Sequence, residues 1–263
     1  MTEAQYQEIE RFTRIPKTRT MSLLKILSIV YQGWTCKVRP VVPTMEDDLL
    51  TLFDDLRHEL SIFMNGVCDF IGQHPKLTKP GEEIVHSCKK RLKDRDHLAV
   101  KIRRKCANNN EITGENFFTE LTDLAGVRIL HLFQEQFGPI DGVIRERVQG
   151  GDWCLAERPK AYTWDPESVQ FFRRFDLDVL EKSTAYTSVH YVVKPRPDSP
   201  VSCEVQVRTL FEEIWGEVDH RMNYPTPSEN IACKEQIRVL AKLVGAGSRL
   251  LDSLHRVHFA DKS

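Results

Sequence analysis

Across residues 44–71 apolar side chains return every three or four positions, at Leu49, Phe53, Leu56, Leu60, Phe63 and Val67. That is the period of one helical face, and Thr44 stands where an N-cap belongs. Pro75, Pro80 and Gly81 then mark a loop. Residues 83–92 read as a strand and 94–106 as a helix. The run at 126–133 (GVRILHLF) is apolar enough for a buried strand, and 137–148 reads as the helix after it. Strands are expected again at 188–195 and 202–208, joined by a turn with Pro195, Pro197 and Pro200; these form the expected antiparallel pair. Between 150 and 182 the pattern is weakest, giving one short strand at 153–157 and a helix over 166–175. A capping box of Thr209 and Glu212 opens a helix that runs to 222. Beyond Pro225 and Pro227, residues 229–256 are mostly helical, with Gly245 and Gly247 as places where the helix would break. Helices around a modest mixed sheet predict one α/β or α+β domain over 44–225, with an N-terminal extension at 1–43 and a helical C-terminal extension at 226–263.

Composition narrows the class without naming a chemistry. The chain has 263 residues, 41% of them hydrophobic and 29% charged, which describes an ordinary globular protein. A net charge of −1 removes bulk attraction to nucleic acid or to an anionic membrane, so any anion site must be local. Seven cysteines, at 36, 68, 88, 106, 154, 203 and 233, include no C-x-x-C pair; they read as thiols of a reducing compartment, neither a disulfide framework nor a zinc site. Residues 21–31 are apolar but short and interrupted by Lys25, too little for a membrane span, with no small-residue cleavage pattern following. The expected location is the cytoplasm. The stripe of Ile237, Leu240, Val244, Leu251 and Leu254 suits core packing first and a homo-oligomer contact second.

Four segments could carry chemistry. EVQVRT at 204–209 puts Glu204, Gln206 and Arg208 on one strand face and Val205 and Val207 on the other, and a buried row of charged and amide groups is costly unless it meets a charged ligand. Arg91 and Lys93 share a strand face, while Lys101 and Arg104 follow His97 on one helical stripe; converging cations suit a polyphosphate, and a solvated basic face is the plainer alternative. Asp123 opens a buried strand containing Gly126 and Arg128, either as a Mg²⁺ ligand or as half of a structural Asp–Arg pair. Tyr186 lies in a polar loop before a strand carrying His190, where an aromatic ring could stack on a nucleobase or be merely exposed. On the helix that follows Thr209, Phe211, Trp215, Val218 and Met222 should face the core, leaving Glu213, Glu217 and His220 opposite.

The order and spacing of these segments resemble the synthetase domain of the RelA/SpoT family over roughly residues 83–225. The family pattern R-x-K followed by a lysine and an arginine on the next helix is met by Arg91, Lys93, Lys101 and Arg104; D-[LI]-x-G-x-R by Asp123, Gly126 and Arg128; G-Y-R-S-x-H by Ala185 to His190; E-[IV]-Q-[IV]-R-T by Glu204 to Thr209; and the final W…H…Y by Trp215, His220 and Tyr224. The resemblance implies a nucleotidyltransferase-like fold with a mixed, largely antiparallel five-stranded sheet. It implies a GTP diphosphokinase that moves the β,γ-pyrophosphate of ATP to the 3′-hydroxyl of GDP or GTP, making ppGpp or pppGpp and releasing AMP. Arg91, Lys93, Lys101, Arg104 and Arg128 would hold ATP. Asp123 and Glu204 would bind Mg²⁺, with Glu204 also the base for the 3′-hydroxyl, and Tyr186 would stack on the acceptor guanine beside Lys182, His190 and Gln206.

The chain also departs from that family. His97 stands where Ser is common, Ala185 replaces Gly, Thr187 replaces Arg and Pro225 replaces Lys. Glu213 stands where small synthetases often carry a guanine-contacting asparagine; a carboxylate there would accept from guanine N1–H and its amine, so guanine is the expected acceptor base. No hydrolase half accompanies the synthetase motifs, because Asp96–His97 is the reverse of an HD pair. Two other readings stand beside the leading one: a toxic relative that pyrophosphorylates adenosine nucleotides or the tRNA 3′ end, and a non-catalytic nucleotide sensor. The neutral net charge speaks against tRNA, and the retained pair Asp123 and Glu204 speaks against a sensor.

Overall fold

The computed structural model describes residues 45–108, 110–223 and 228–260. The apolar stretch at 21–31, the N-cap at Thr44, and Tyr224, Pro225 and Pro227 lie outside the described residues. The described residues form one compact unit.

Helix α1 (Met45–Gly72) buries Leu49, Leu50, Phe53, Leu60, Met64, Val67 and Ile71, the three-four stripe expected of it. It packs across strands β1 (Ser87–Leu92), β2 (Ala125–His131) and β7 (Cys203–Thr209). Between them in the chain lie α2 (Arg95–Ala107), whose N-cap Asp94 accepts from the amides of Asp96 and His97, the short α3 (Phe117–Glu120) and α4 (Phe137–Gln149). Strands β3 (Cys154–Leu155), β4 (Lys160–Thr163), β5 (Asp178–Glu181) and β6 (Ser188–Lys194), with α5 (Pro166–Phe172) between β4 and β5, complete the sheet.

The strand order is β1-β2-β7-β6-β4-β5, with β3 on the same edge of β6 as β4. β2–β7 and β4–β5 are parallel and the remaining pairs antiparallel. The sheet therefore has seven strands where five were expected. The two unforeseen ones are β4 and β5. In β4 the buried positions are Ala161 and Thr163, small or hydroxylated side chains that give no apolar alternation, and β5 is an edge strand without a fully buried residue.

Register decides what each face of the sheet carries. Val127 pairs with Val205 and Ile129 with Val207; Val207 pairs in turn with Val189 and Val205 with Tyr191, and all of these are buried in the core beneath α1. The alternate positions make the opposite face. Lys89, Arg128, Gln206 and His190 lie abreast on β1, β2, β7 and β6, and Arg91, Gly126 and Glu204 lie abreast one pleat further on. A slip of one residue would send these charges into the core, so the apolar row fixes the polar one.

Helix α6 (Leu210–Asn223) begins where expected. Thr209 N–H donates to Glu212 Oε2 at 2.7 Å and Glu212 N–H to Thr209 Oγ1 at 3.2 Å, a complete capping box. Its core stripe differs from expectation at the end: Trp215 is buried, but Met222 is exposed and Glu213 is among the most buried residues of the helix. Helix α7 (Ile231–Ala260) runs unbroken through both glycines. A Cβ at Gly247 would lie 2.9 Å from the Phe211 ring, and one at Gly245 would lie 3.7 Å from Trp164. Gly247 thus permits close approach of α7 to α6, and neither glycine ends the helix. Ile237 and Val244 bury against Trp215 with Leu240 beside them, whereas Leu254 is exposed.

Gly247→Leu is expected to lose about 1–3 kcal/mol in urea unfolding through overpacking against Phe211. Gly66→Ala, at an exposed position of α1 with no atom within 4 Å of its Cβ, should gain up to about 1 kcal/mol of helix propensity. Equal effects of the two substitutions would contradict the close-approach account.

Candidate active site

The polar face of the sheet is the floor of a cleft of about 640 Å³, walled on one side by α6. Arg91 and Arg128 reach it from β1 and β2, Glu204, Gln206 and Arg208 from β7, and Glu217, Asp219 and His220 from the wall, while Asp123 and Tyr186 stand at the strand entrances.

Asp123 occupies the turn into β2. Its Oδ2 accepts from Lys93 Nζ at 2.8 Å, and Lys101 Nζ lies 2.6 Å from Oδ1. Burial raises the pKa of this carboxyl, but the two ammonium groups outweigh it and hold the acid at about 2. Lys101 responds in the opposite sense: burial lowers its pKa while Asp123 and Glu204 oppose the shift. Oδ1 is buried with no hydrogen bond aligned on it, despite the lysine beside it. Lys101 is nonetheless its ionic partner, so each oxygen of the carboxylate faces one ammonium group.

Glu204 stands beside Asp123 because β2 and β7 run parallel with Gly126 opposite Glu204. Both of its oxygens are held: Oε2 accepts from Gln206 Nε2 at 2.7 Å and Oε1 lies 3.0 Å from His190 Nδ1. An ionised carboxylate only accepts, so His190 carries a proton on Nδ1, and its Nε2 is hydrogen-bonded to the Tyr186 hydroxyl at 2.8 Å. Burial raises the Glu204 pKa; the contacts from His190 and Gln206 overcome it, and the net shift is downward despite the nearby charge of Asp123. The Tyr186 ring is half-buried, not exposed, and its hydroxyl is anchored. This chain of Tyr186, His190 and Glu204 joins an aromatic platform to a carboxylate.

A second cluster surrounds Glu213. Lys89 Nζ is 2.9 Å from its Oε1, Arg128 Nη1 is 3.0 Å from the same oxygen, and Arg208 pairs with Oε2. Glu217 holds Arg128 Nη1 from the cleft side at 2.8 Å. Gly216 makes this possible, because a Cβ there would lie 2.8 Å from Arg208 Nη1.

The structure therefore brings Arg91, Lys93, Asp123, Arg128, Tyr186, Glu204 and Gln206 together in the cleft, with Lys101 joined through Asp123 and His190 joined through Glu204. Three expected residues do not line the cleft. Arg104 is exposed on α2, Lys182 lies 4.5 Å from the Tyr162 ring, and Glu213 is buried beneath the cleft lining with its carboxylate held by cations. His97 lies 3.7 Å from Asp94. Thr187, where the family pattern has Arg, is buried against the Thr163 hydroxyl at 3.1 Å and offers the cleft no cation. Lys89 was not foreseen as a site residue, and Arg208 was read in the polar row of 204–209 without a role of its own. Lys89 precedes Arg91 by one strand alternation, and Arg208 sits in the same polar row as Glu204; both signals were legible, but their partner Glu213 was not.

The residues present fit a magnesium ion. Two ionised carboxylates adjoin and supply hard oxygen donors, and among the described residues no three His, Cys, Asp or Glu side chains converge on a closed protein cage. Mg²⁺ characteristically takes one or two carboxylates and completes its shell with water and phosphate oxygens.

Asp123→Asn is expected to cost about 3 kcal/mol at pH 7 by leaving Lys93 and Lys101 without their counter-ion. Because the folded pKa is depressed, the contribution of Asp123 is complete above its ordinary value of 3.8 and disappears as pH falls through about 2. The stability gap between wild type and variant, followed by denaturant titration, should stay constant above about pH 5 and shrink below 4; a gap that widens on acidification would contradict the assignment.

Comparison with known proteins gives this geometry a family. The model of the region found in RelA/SpoT proteins matches residues 90–229. The GTP pyrophosphokinase YwaC of Bacillus subtilis (strain 168) is 23% identical over 192 residues, covering 69% of this chain and 80% of YwaC. The crystal structure of small alarmone synthetase 1 from Bacillus subtilis superposes with a TM-score of 0.58 at 18% identity, covering 81% of this chain and 98% of that one. The same synthetase bound to its product pppGpp gives 0.54 at 19% identity, over 82% of this chain and 98% of that one. With the family model spanning more than half of the residues and its motifs meeting in one cleft, the chain belongs to the RelA/SpoT family.

Proposed function

We propose that the protein is a GTP pyrophosphokinase: it transfers the β,γ-pyrophosphate of ATP to the 3′-hydroxyl of GDP or GTP, forming ppGpp or pppGpp and AMP. The observation that carries this reading is the meeting of Asp123 and Glu204, both kept ionised, with Lys93, Lys101 and Arg91 at one end of the cleft. Kinship with YwaC and with the pppGpp-bound synthetase supports it.

The chemistry follows from the residues. Arg91, Lys93, Lys101 and Arg128 neutralise and orient ATP, and Arg104 would have to swing from its exposed position to join them. Asp123 and Glu204 would hold Mg²⁺, which would neutralise phosphate charge when bound. Tyr186 offers its ring to the guanine of the acceptor. Glu204 takes the proton of the 3′-hydroxyl as that oxygen bonds to the β-phosphorus; the bond between the β-phosphorus and the α,β-bridging oxygen breaks, and AMP leaves with that oxygen. His190 and Gln206 keep the Glu204 carboxylate aimed and charged for this step. Such a transfer needs positioning and charge neutralisation more than covalent help from the protein. Among the described residues no helix is long and apolar enough to cross a membrane.

Incubation with ATP labelled in the γ-phosphate, Mg²⁺ and GDP, GTP, ADP or tRNA tests the reading. Labelled ppGpp or pppGpp with stoichiometric AMP is expected, and Glu204→Gln should slow the reaction by at least about 100-fold, the scale of general base catalysis. Label appearing only on ADP or tRNA, or a wild-type rate in Glu204→Gln, would contradict it.

A further inference from the structure

We infer that Glu213 is a positioning residue for the ATP side of the cleft, a buried anion that gathers Lys89, Arg128 and Arg208 into one rigid cluster, and that it does not read the acceptor base. The inference rests on the reading of Arg128 as part of the ATP site.

The three cations come from adjacent strands. Lys89 and Arg128 are direct cross-strand partners on β1 and β2, and Arg208 follows on β7. Side by side on one sheet face they repel one another, and like charges directly opposite destabilise a sheet. Helix α6 supplies the missing anion. The capping box of Thr209 and Glu212 fixes the start of the helix, and the next residue, Glu213, points back onto the strands. Its side chain is 6% exposed and that of Arg208 is 4% exposed, so the pair is closed to solvent. Burial raises the Glu213 pKa, yet Lys89, Arg208 and Arg128 outweigh it and the net shift is downward. The carboxylate is thus committed to its cations, and its residue does not line the cleft.

Arg128 shows what the cluster achieves. Its Nη1 donates to Glu213 at 3.0 Å and to Glu217 at 2.8 Å, while the residue itself lines the cleft. A guanidinium whose in-plane N–H groups are tied to carboxylates keeps a flat face for stacking on a purine and loses little freedom when the ligand arrives. Gly216 completes the arrangement by leaving room for Arg208 against the α6 backbone. In a chain with asparagine at position 213 these cations would have no buried counter-charge, so the carboxylate is a feature of this sequence.

Calorimetric binding of the non-transferable ATP analogue AMPCPP with Mg²⁺, together with turnover of GDP against ADP, tests the inference. Glu213→Gln is expected to weaken AMPCPP binding about tenfold, the scale of one charge-assisted contact, with the GDP-to-ADP preference unchanged. Glu213→Asp, one methylene shorter, should weaken it too, since it cannot reach Arg128 and Arg208 together. Unchanged AMPCPP affinity, or a collapsed preference for GDP, would overturn the inference. Should Glu213→Gln not fold, Glu213→Asp, which keeps the buried charge, decides: weaker AMPCPP binding supports the cluster and unchanged binding refutes it. AMPCPP binding is read without turnover, so absence of product from wild type would defeat the proposed reaction and leave the binding test standing.

Discussion

Lys93 and Lys101 keep Asp123 ionised in a place where burial alone would favour the neutral acid. The rest of the site hangs on this balance. A protonated Asp123 could hold no divalent cation, and two lysines without it would repel each other at the entrance to β2. Parallel pairing of β2 with β7 then sets Glu204 next to the ion pair, close enough for the two negative charges to oppose one another. Glu204 stays charged only because His190 and Gln206 occupy its two oxygens. Each acid is thus held by its own partners, and both remain available to a positively charged ligand between them.

A division of labour runs through the fold. The apolar rows of β2, β7 and β6 fix register beneath α1, and register alone lines up the polar row above. Charge is then settled locally: Asp123 by lysines, Glu204 by an imidazole and an amide, and the cations of the inner sheet by Glu213 from α6. Glycines mark the close approaches, Gly216 against Arg208 and Gly247 against Phe211. The aromatic platform belongs to the same system, since Tyr186 touches His190 through its hydroxyl and lies 5.9 Å, ring centroid to guanidinium carbon, from Arg208.

Sequence patterning revealed what is local. The stripe of α1, the alternation of β7, the capping box at Thr209 and the apolar run of β2 are all short-range, and each appears in the structure within a residue or two of where its pattern places it. Strands β4 and β5 escaped because Ala161 and Thr163 bury without an apolar signature and because an edge strand needs only one covered face. The two carboxylates of the cleft and most of its cations were legible as charges placed where charge is expensive. What escaped was non-local. Glu213 looked like one acid of a solvent-facing helix surface, and only the alignment of Lys89, Arg128 and Arg208 on three strands makes it a buried hub. The antiparallel pair of β6 and β7 was expected, but the tie from Tyr186 to Glu204 depends on its register, which sets His190 against Gln206 and which chain spacing does not state.

The central claim is that Asp123 and Glu204 are two ionised acids sharing one ligand. Carbonyl ¹³C NMR of the Asp- and Glu-labelled protein, titrated with acid and then with Mg²⁺ and AMPCPP, measures it directly. The account predicts that Asp123 titrates near 2, well below the ordinary 3.8, and that metal and nucleotide shift the Asp123 and Glu204 signals together. An ordinary Asp123 titration, or a response confined to one of the two carboxyls, would contradict it.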